Sequence, residues 1–222
     1  MFNKISNLFL KINLYSFESY SLEGEDRLIS RYFESKNSGF YIDIGSNHPL
    51  RFNNTFIFFK KGWKGVNVDA DEESINLFRR YRKSDINICS AVGNSSKLTN
   101  YYRFNDSALN TFDENYHRHY QEIGYKLLGT SKLKVRKLSE ILSKLQIPKK
   151  IDFMSIDVEG KELDVLKSNN WEKYRPKLII VEVFNIIDFK SANSNKITTY
   201  LKSKKYRLFA KTLSNLIYIN EK

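Results

Sequence analysis

The hydrophobic and polar positions of this 222-residue chain change period several times along its length. Near the start, Phe2, Ile5, Leu8, Phe9 and Ile12 recur at helical spacing. This predicts an amphipathic helix over Met1–Asn13 that docks on the rest of the domain or lies on a membrane surface. From Gly39 onward, short β-branched apolar runs alternate with amphipathic stretches. Phe40–Ile44, Gly65–Asp69, Ile86–Val92, Ile151–Asp157 and Lys177–Val183 read as five strands. Thr55–Lys61, Glu72–Arg82 and Lys161–Lys167 read as helices between them. Strands this apolar, separated by helices, predict a parallel sheet covered on both faces. The end of the chain breaks the alternation. Tyr206–Lys211 and Leu216–Ile219, joined by a Thr-Leu-Ser-Asn link, predict an antiparallel hairpin closing one sheet edge.

Residues 94–137, between the third and fourth strands, form an insert rich in Tyr, Asn, Ser and His. An insert of that length has structure of its own or a function. Leu98–Phe104 and Lys132–Leu138 read as strand material, and Tyr116–Gln121 fits a helix as well as a strand. The organisation expected is an N-terminal helical segment, 1–38, packing on one α/β domain, 39–222. There is no internal repeat, and no apolar run approaches the roughly 18 residues of a membrane span. Lys4, Ser6, Asn7, Lys11 and Asn13 interrupt the first residues too often for a signal-peptide core.

Composition narrows the class. With 41% hydrophobic and 14% aromatic residues the chain has material for a core, which excludes disorder. A single cysteine, Cys89, excludes a disulfide scaffold and points to a reducing, cytoplasmic setting. The net charge of +12 is unevenly spread: residues 1–120 carry 16 basic and 14 acidic side chains, residues 121–222 carry 21 and 11. The excess collects in Lys132–Lys150 and Lys196–Lys211. It is either a solvated surface or the mark of an anionic partner: a phosphorylated or carboxylated substrate, nucleic acid, or a membrane face touched peripherally.

In an open parallel sheet, ligands bind beyond the carboxyl ends of the strands. Those ends read Asp43-Ile-Gly45-Ser-Asn47, Asp69, Cys89-Ser90-Ala91, Asp157-Val-Glu159-Gly160 and Glu182. Four of the five bring a carboxylate to one rim, more than helix capping asks for. Gly45 permits close approach of a ligand to backbone, but Ser46, Asn47 and His48 follow it, so the G-x-G-x-x-G turn of a dinucleotide site is absent, as is a P-loop. Asp69 ends the next strand, 24 residues beyond Gly45, where a carboxylate accepts both hydroxyls of a ribose. An adenosine without a pyrophosphate suggests S-adenosylmethionine.

Further segments extend this set: Ser21-Leu-Glu-Gly-Glu-Asp26, Asn54-Thr55, Gly62-Trp-Lys-Gly65, Ala91-Val-Gly93, Asp157-Val-Glu-Gly-Lys-Glu162 and Arg175-Pro176. In this order, over about Ser21–Glu182, the chain resembles the FkbM-type family of S-adenosylmethionine-dependent O-methyltransferases. The resemblance implies a class I methyltransferase fold: a Rossmann-like, mainly parallel seven-stranded sheet with helices on both faces and a C-terminal antiparallel hairpin. It places Asp43, Gly45 and Asn47 at the methionine end of the cofactor, Asp69 at the ribose, Ser90 and Ala91 beside the adenine, and Asp157 in the methyl-transfer zone, with Ser46, Thr55 and Ala70 as further cofactor-binding residues. Asp69 stands where the family often has Glu, and Glu23 where Gln is common; the shorter acid at 69 still reaches ribose hydroxyls.

A sugar hydroxyl has a high pKa, so its methylation needs a base or a metal. Asp157, Glu159 and Glu182 are the candidate carboxylates. Asp157 and Glu182 end neighbouring strands, where they share a divalent ion such as Mg2+ or act as base and orienting partner. Glu159 joins them or bonds local backbone before Gly160. His48 is a second candidate base, or stabilises its turn. In the insert, taken as lying on the acceptor side, Tyr102, His117 and His119 are candidates for contacting a sugar. Lys134 and Arg136 are expected beside the Asp157 rim, holding an anionic glycan or nucleotide-linked sugar. The reading is methyl transfer to a hydroxyl of a sugar or glycan. A nucleic-acid methyltransferase is the alternative, although no [DNS]-P-P-[YFW] signature follows the fourth strand and Cys89 lacks a neighbouring proline. A degenerate cofactor-binding module is a third reading, opposed by the retained carboxylates.

Overall fold

The computed structural model describes residues 17–222, so the helix predicted over Met1–Asn13 lies outside the described residues. The first half of the fold runs α1 (Glu25–Tyr32), β1 (Phe40–Ile44), α2 (Phe56–Lys60), β2 (Lys64–Asp69), α3 (Glu72–Tyr81), β3 (Ile86–Cys89) and β4 (Ala91–Val92). It continues through β5 (Leu98–Phe104), a 3-10 turn at Ser107–Leu109, α4 (Glu114–Glu122), β6 (Leu127–Arg136) and α5 (Leu138–Ser143). The last part is β7 (Ile151–Ile156), α6 (Glu162–Ser168), β8 (Pro176–Glu182), α7 (Phe189–Ser194), α8 (Lys196–Ser203), β9 (Tyr206–Lys211) and β10 (Asn215–Asn220).

Seven strands form one sheet in the order β3-β2-β1-β7-β8-β10-β9. The first five pair in parallel, while β10 runs antiparallel to both β8 and β9. This is the architecture that the resemblance implies, hairpin included. Strand alternation sorts the core onto two faces. Ile42, Ile44, Val66, Val68, Met154, Ile156, Ile179 and Val181 point one way, against Leu138, Ile141 and Leu142 of α5 and Val165 and Leu166 of α6. Tyr41, Phe153, Leu178, Ile180 and Ile217 point the other way, against Ile29 and Phe33 at α1, Ile57 and Phe58 of α2, and Trp63. Both faces are apolar because both are covered, which is why these strands read as continuous hydrophobic runs.

Three elements differ from expectation. The strand predicted over Ile86–Val92 is two. β3 ends its pairing with β2 at Cys89, and the Ser90 N–H closes onto the Asp69 carbonyl at 2.7 Å. Ala91 and Val92 then leave to pair with Val135 and Arg136 in a second, three-stranded sheet of order β4-β6-β5. Both halves are apolar, so no break shows in the sequence pattern. Second, the strand predicted over Lys132–Leu138 begins at Leu127 and stops at Arg136; Leu138 opens α5, its N–H held by Ser168 Oγ at 3.0 Å. The insert is therefore a long β5–β6 hairpin enclosing the 3-10 turn and α4. Third, α7 and α8 lie in a stretch where periodicity assigns nothing; Asp188 and Ser191 cap α7 reciprocally.

Candidate active site

The strand order reverses between β1 and β7, and a cleft opens at their carboxyl ends, lined by Gly45, Asn47, Asp69, Asp157, Glu159 and Glu182 among others. The turn after β1 folds back over β2: the N–H groups of Gly45 and Ser46 donate to the Val68 carbonyl at 2.8 and 3.3 Å. Gly45 has φ +76°, and a Cβ there would lie 1.6 Å from the carbonyl oxygen of Asp157, so no other residue fits. Beneath this turn lies a polar network. Asp43, 4% exposed, accepts from Thr55 Oγ1 at 2.9 Å and Asn53 Nδ2 at 3.3 Å. The fully buried Arg82 guanidinium donates to the Pro49 carbonyl, to Asn53 Oδ1 at 2.6 Å and to Thr55 Oγ1 at 2.7 Å. Burial pushes the Asp43 carboxyl up to about 6 against the pull of Arg82. Asp43, Ser46 and Thr55 thus sit under the cleft wall, where they hold the turn in place.

Asp69 reaches the cleft itself. Its Oδ2 accepts from the Asn47 N–H and its Oδ1 from the Asp71 N–H, both at 2.8 Å. Each oxygen keeps acceptor capacity for a ribose hydroxyl. Burial pushes this carboxyl up to about 6. Ala70 and Ser90 line the wall beyond it; Ala91 is buried behind them, and the buried Val92 lines the cleft in its place. The opposite wall comes from the insert: Tyr101, Ala108, Leu109, Asn110 and Phe112. Ser107 Oγ donates to Asn47 Oδ1 at 2.9 Å and Asn110 Nδ2 to Asp71 Oδ2 at 3.3 Å, tying the insert to the turns after β1 and β2. The insert therefore closes the Asp69 end of the cleft, which corrects its placement on the acceptor side alone.

At the other end stand three carboxylates. Asp157 and Glu159 follow β7, Glu182 ends β8, and one oxygen of each lies within 4.8 Å of the other two. Glu159 and Glu182 are buried. Tyr120 Oη donates to Glu159 Oε2, and Glu182 Oε2 has no partner. Burial raises all three pKa values, and the mutual repulsion of the carboxylates adds to this at Glu159 and Glu182. Glu159 sits in the left-handed region at φ 54°. Its side chain does not bond the local turn. Glu162 does, accepting from the Val158 and Gly160 N–H groups at 3.2 and 2.9 Å. Such a group of oxygens can take a proton or surround a cation.

The remaining predicted residues lie elsewhere. His48 Nδ1 accepts from the Leu50 and Arg51 N–H groups at 3.2 and 3.1 Å, so it stabilises its turn. α4 turns His117 and His119 about 200° apart. His117 stacks on Tyr102 with ring centroids 4.0 Å apart, and neither histidine nor Tyr102 lines the cleft. Tyr116 and Tyr120 of the same helix back the carboxylates instead, Tyr116 lying 5.9 Å from the Phe184 ring. Lys134 and Arg136 are not beside Asp157. β6 carries them to its pairing with β4, where with Ile88, Ser96 and Glu140 they line a second groove that meets the cleft at Ser90, away from the carboxylates. Burial pushes the Cys89 thiol up to about 12, and its Sγ lies 3.6 Å from the Ala70 carbonyl oxygen.

Sequence reasoning missed Arg82, Glu162, Glu25, Ser214 and Asn215. The last three line the cleft. Glu25 accepts from Asn215 Nδ2 at 2.7 Å, and Glu23 accepts from the Ser214 N–H and Oγ at 3.0 and 2.8 Å, clamping the tip of the C-terminal hairpin over the carboxylates. The Gly-Glu-Asp segment signals the acids; nothing local marks the hairpin tip they grip.

The family described as Methyltransferase FkbM domain matches residues 43–208. No curated protein matches the chain. Among solved structures, the chain is similar to a putative caffeoyl-CoA O-methyltransferase from Staphylococcus aureus, with 9% identity over 98% of this chain and 91% of that one and a TM-score of 0.48. It is also similar to an O-methyltransferase from Bacillus cereus in complex with SAH (11% identity, 97% and 88% covered, TM-score 0.43). A third is M. capricolum TrmK in complex with S-adenosyl-homocysteine (12% identity, 89% and 67% covered, TM-score 0.40). At these scores the fold assignment rests on the strand order above.

Proposed function

This chain belongs to the FkbM family of S-adenosylmethionine-dependent methyltransferases, and from that premise we propose that it methylates a hydroxyl of a sugar or glycan. One observation carries the choice of acceptor. Three carboxylates gather at the far end of the cleft, Asp157 and Glu182 beside each other and Glu159 accepting from Tyr120 Oη, a group suited to take the proton of a weakly acidic hydroxyl. Asp69 would hold the ribose and the Gly45–Asn47 turn the methionine portion, and the cofactor would supply the methyl group at the Asp157 end of the cleft. The acceptor oxygen forms a bond to the methyl carbon, the carbon–sulfur bond breaks, sulfur keeps the electron pair, and the hydroxyl proton passes to the carboxylate group. Holding oxygen and methyl in line within this cleft supplies much of the rate.

The carboxylates repel a phosphate, so the reacting end of the acceptor is uncharged. Any anionic part of a nucleotide-linked or phosphorylated sugar lies outside this end of the cleft. No helix among the described residues is long and apolar enough to cross a membrane, and the lone cysteine fits a reducing compartment. We read the setting as cytoplasmic. The test is transfer from methyl-labelled S-adenosylmethionine into a cell extract fractionated into glycans, nucleotide sugars and nucleic acid. Label on a sugar oxygen, located by mass spectrometry, is the expected result; label confined to nucleic acid, with steep salt dependence, would replace this reading by the nucleic-acid one.

A further inference from the structure

We propose that Asp157, Glu159 and Glu182 together hold a hard divalent cation, Mg2+, Mn2+ or Ca2+, at the acceptor end of the cleft. The inference rests on the reading of that end as the place where a hydroxyl is methylated, and it names how the hydroxyl is activated.

Geometry is the first ground. One oxygen from each residue lies within 4.8 Å of the other two. Two oxygens on opposite sides of one ion are about 4.2 Å apart for Mg2+ and about 4.8 Å for Ca2+, from typical ion–oxygen distances. Three oxygens this close can converge on one ion through small side-chain adjustments. The second ground is Glu182 itself: its side chain is nine-tenths buried, it lines the cleft, and Oε2 has no hydrogen-bond partner. An unpartnered buried carboxylate oxygen costs free energy unless something meets it. No basic side chain among the described residues does so. Lys161, which lines the same cleft, is paired with Asp113 at 2.6 Å.

Glu159 adds a third argument. Its backbone is in the left-handed region at φ 54°, a conformation that costs about 1–2 kcal/mol for a residue with a side chain. Its tight turn is bonded through Glu162, and its own carbonyl accepts from Thr111 Oγ1 at 2.7 Å, but neither contact uses the Glu159 carboxylate. What the conformation achieves is to bring the Glu159 carboxylate to the other two. The donor set then selects the ion. Three carboxylates are hard oxygen ligands, suited to Mg2+, Mn2+ or Ca2+ and not to soft-ligand metals. A monocationic amine leaves two negative charges uncompensated. A divalent ion leaves one, which the donor's sulfonium meets across the cleft. The ion's contribution is to polarise the acceptor hydroxyl and ease loss of its proton near neutral pH.

The experiment is calorimetric titration of MnCl2, MgCl2 or CaCl2 into the 222-residue chain, with and without S-adenosyl-homocysteine, for the wild type and for E182Q, D157N and E159Q. One saturable site is expected in the wild type, weakened at least tenfold in each variant. Circular dichroism melts establish that the variants are folded, and electron paramagnetic resonance of bound Mn2+ reports an oxygen coordination shell that changes in E182Q, which keeps nearly the same shape. Absence of saturable binding, unchanged affinity in folded E182Q and D157N, or methylamine competing fully for the site would overturn the proposal. Because the titration uses metal alone, it separates the two readings. Methyl transfer to a sugar hydroxyl that survives exhaustive chelation sinks the metal and leaves the acceptor standing. Metal binding without transfer to any hydroxyl does the reverse.

Discussion

In the cofactor site proposed above Asp69 binds the ribose and has to be ionised to accept two hydroxyls, yet burial pushes its carboxyl up to about 6. Cofactor affinity is therefore expected to rise with pH through about 6. Stability of the unliganded chain moves the other way. The folded pKa lies above the unfolded value of 3.8, so the folded state binds the proton more tightly, and this contribution is complete below about pH 4 and is lost as pH climbs to 6. Asp69→Asn removes the charge and both dependences together. Hydrogen bonds to a charged group contribute about 1.5–3 kcal/mol, so binding of S-adenosyl-homocysteine should weaken by roughly one to two orders of magnitude at pH 8. Titration calorimetry from pH 5 to 8 checks both; an equally steep pH profile in the variant would assign the titration to another group. Asp69 was readable beforehand because strand end, glycine spacing and acid coincide in the sequence. Arg82 was not: its partners Pro49, Asn53 and Thr55 are 27 to 33 residues away and meet it only when α3 packs beneath the first turn.

Among the elements, α1 and the β9–β10 hairpin depend on each other. Gly24 ends the approach to α1 in the left-handed region, and Glu25 in its first turn reaches Asn215 Nδ2 at 2.7 Å and Thr212 Oγ1 at 3.3 Å. Replacing Glu25 by Ala leaves the Asn215 amide without this acceptor, a loss of about 1–3 kcal/mol if the site stays closed. The expected result is faster amide hydrogen exchange at residues 212–215, with β1 and β7 unchanged. Protection that stays uniform would mean the hairpin tip is held by β8 alone. Main-sheet strands were legible because two covered faces leave a continuous apolar run. The β3–β4 break was not, since it turns on which neighbour each backbone finds: Cys89 keeps β2, Ala91 takes β6.

On the scale of the molecule, the three carboxylates and the basic pair Lys134 and Arg136 lie apart. The carboxylates gather at one end of the cleft, while Lys134 and Arg136 face a groove beside Ser96 and Glu140. Proximity in sequence to β7 suggested the opposite, but β6 runs away from Asp157 toward β4 before the chain returns through α5. Neutralising both, as K134Q/R136Q, is therefore expected to change kcat/KM for the acceptor by less than about twofold and to leave its salt dependence as it was. A tenfold rise in KM with kcat unchanged would return these side chains to acceptor binding.

The order of strands and helices, the closing hairpin, the glycine-opened first turn and the rim of strand-end carboxylates are local properties, set by side-chain period and by which residue ends each strand. They stand in the sequence by itself. Which of those groups converge was decided only by tertiary structure. Asp43 and Thr55 went beneath the wall to a buried arginine, the insert swung over Asp69, and Glu159 turned from its own backbone to Asp157 and Glu182. The physical reason is that a strand end specifies a rim, whereas contact across the rim depends on sheet order, on a left-handed residue at 159 and on a hairpin tip gripped by acids nearly the whole chain away.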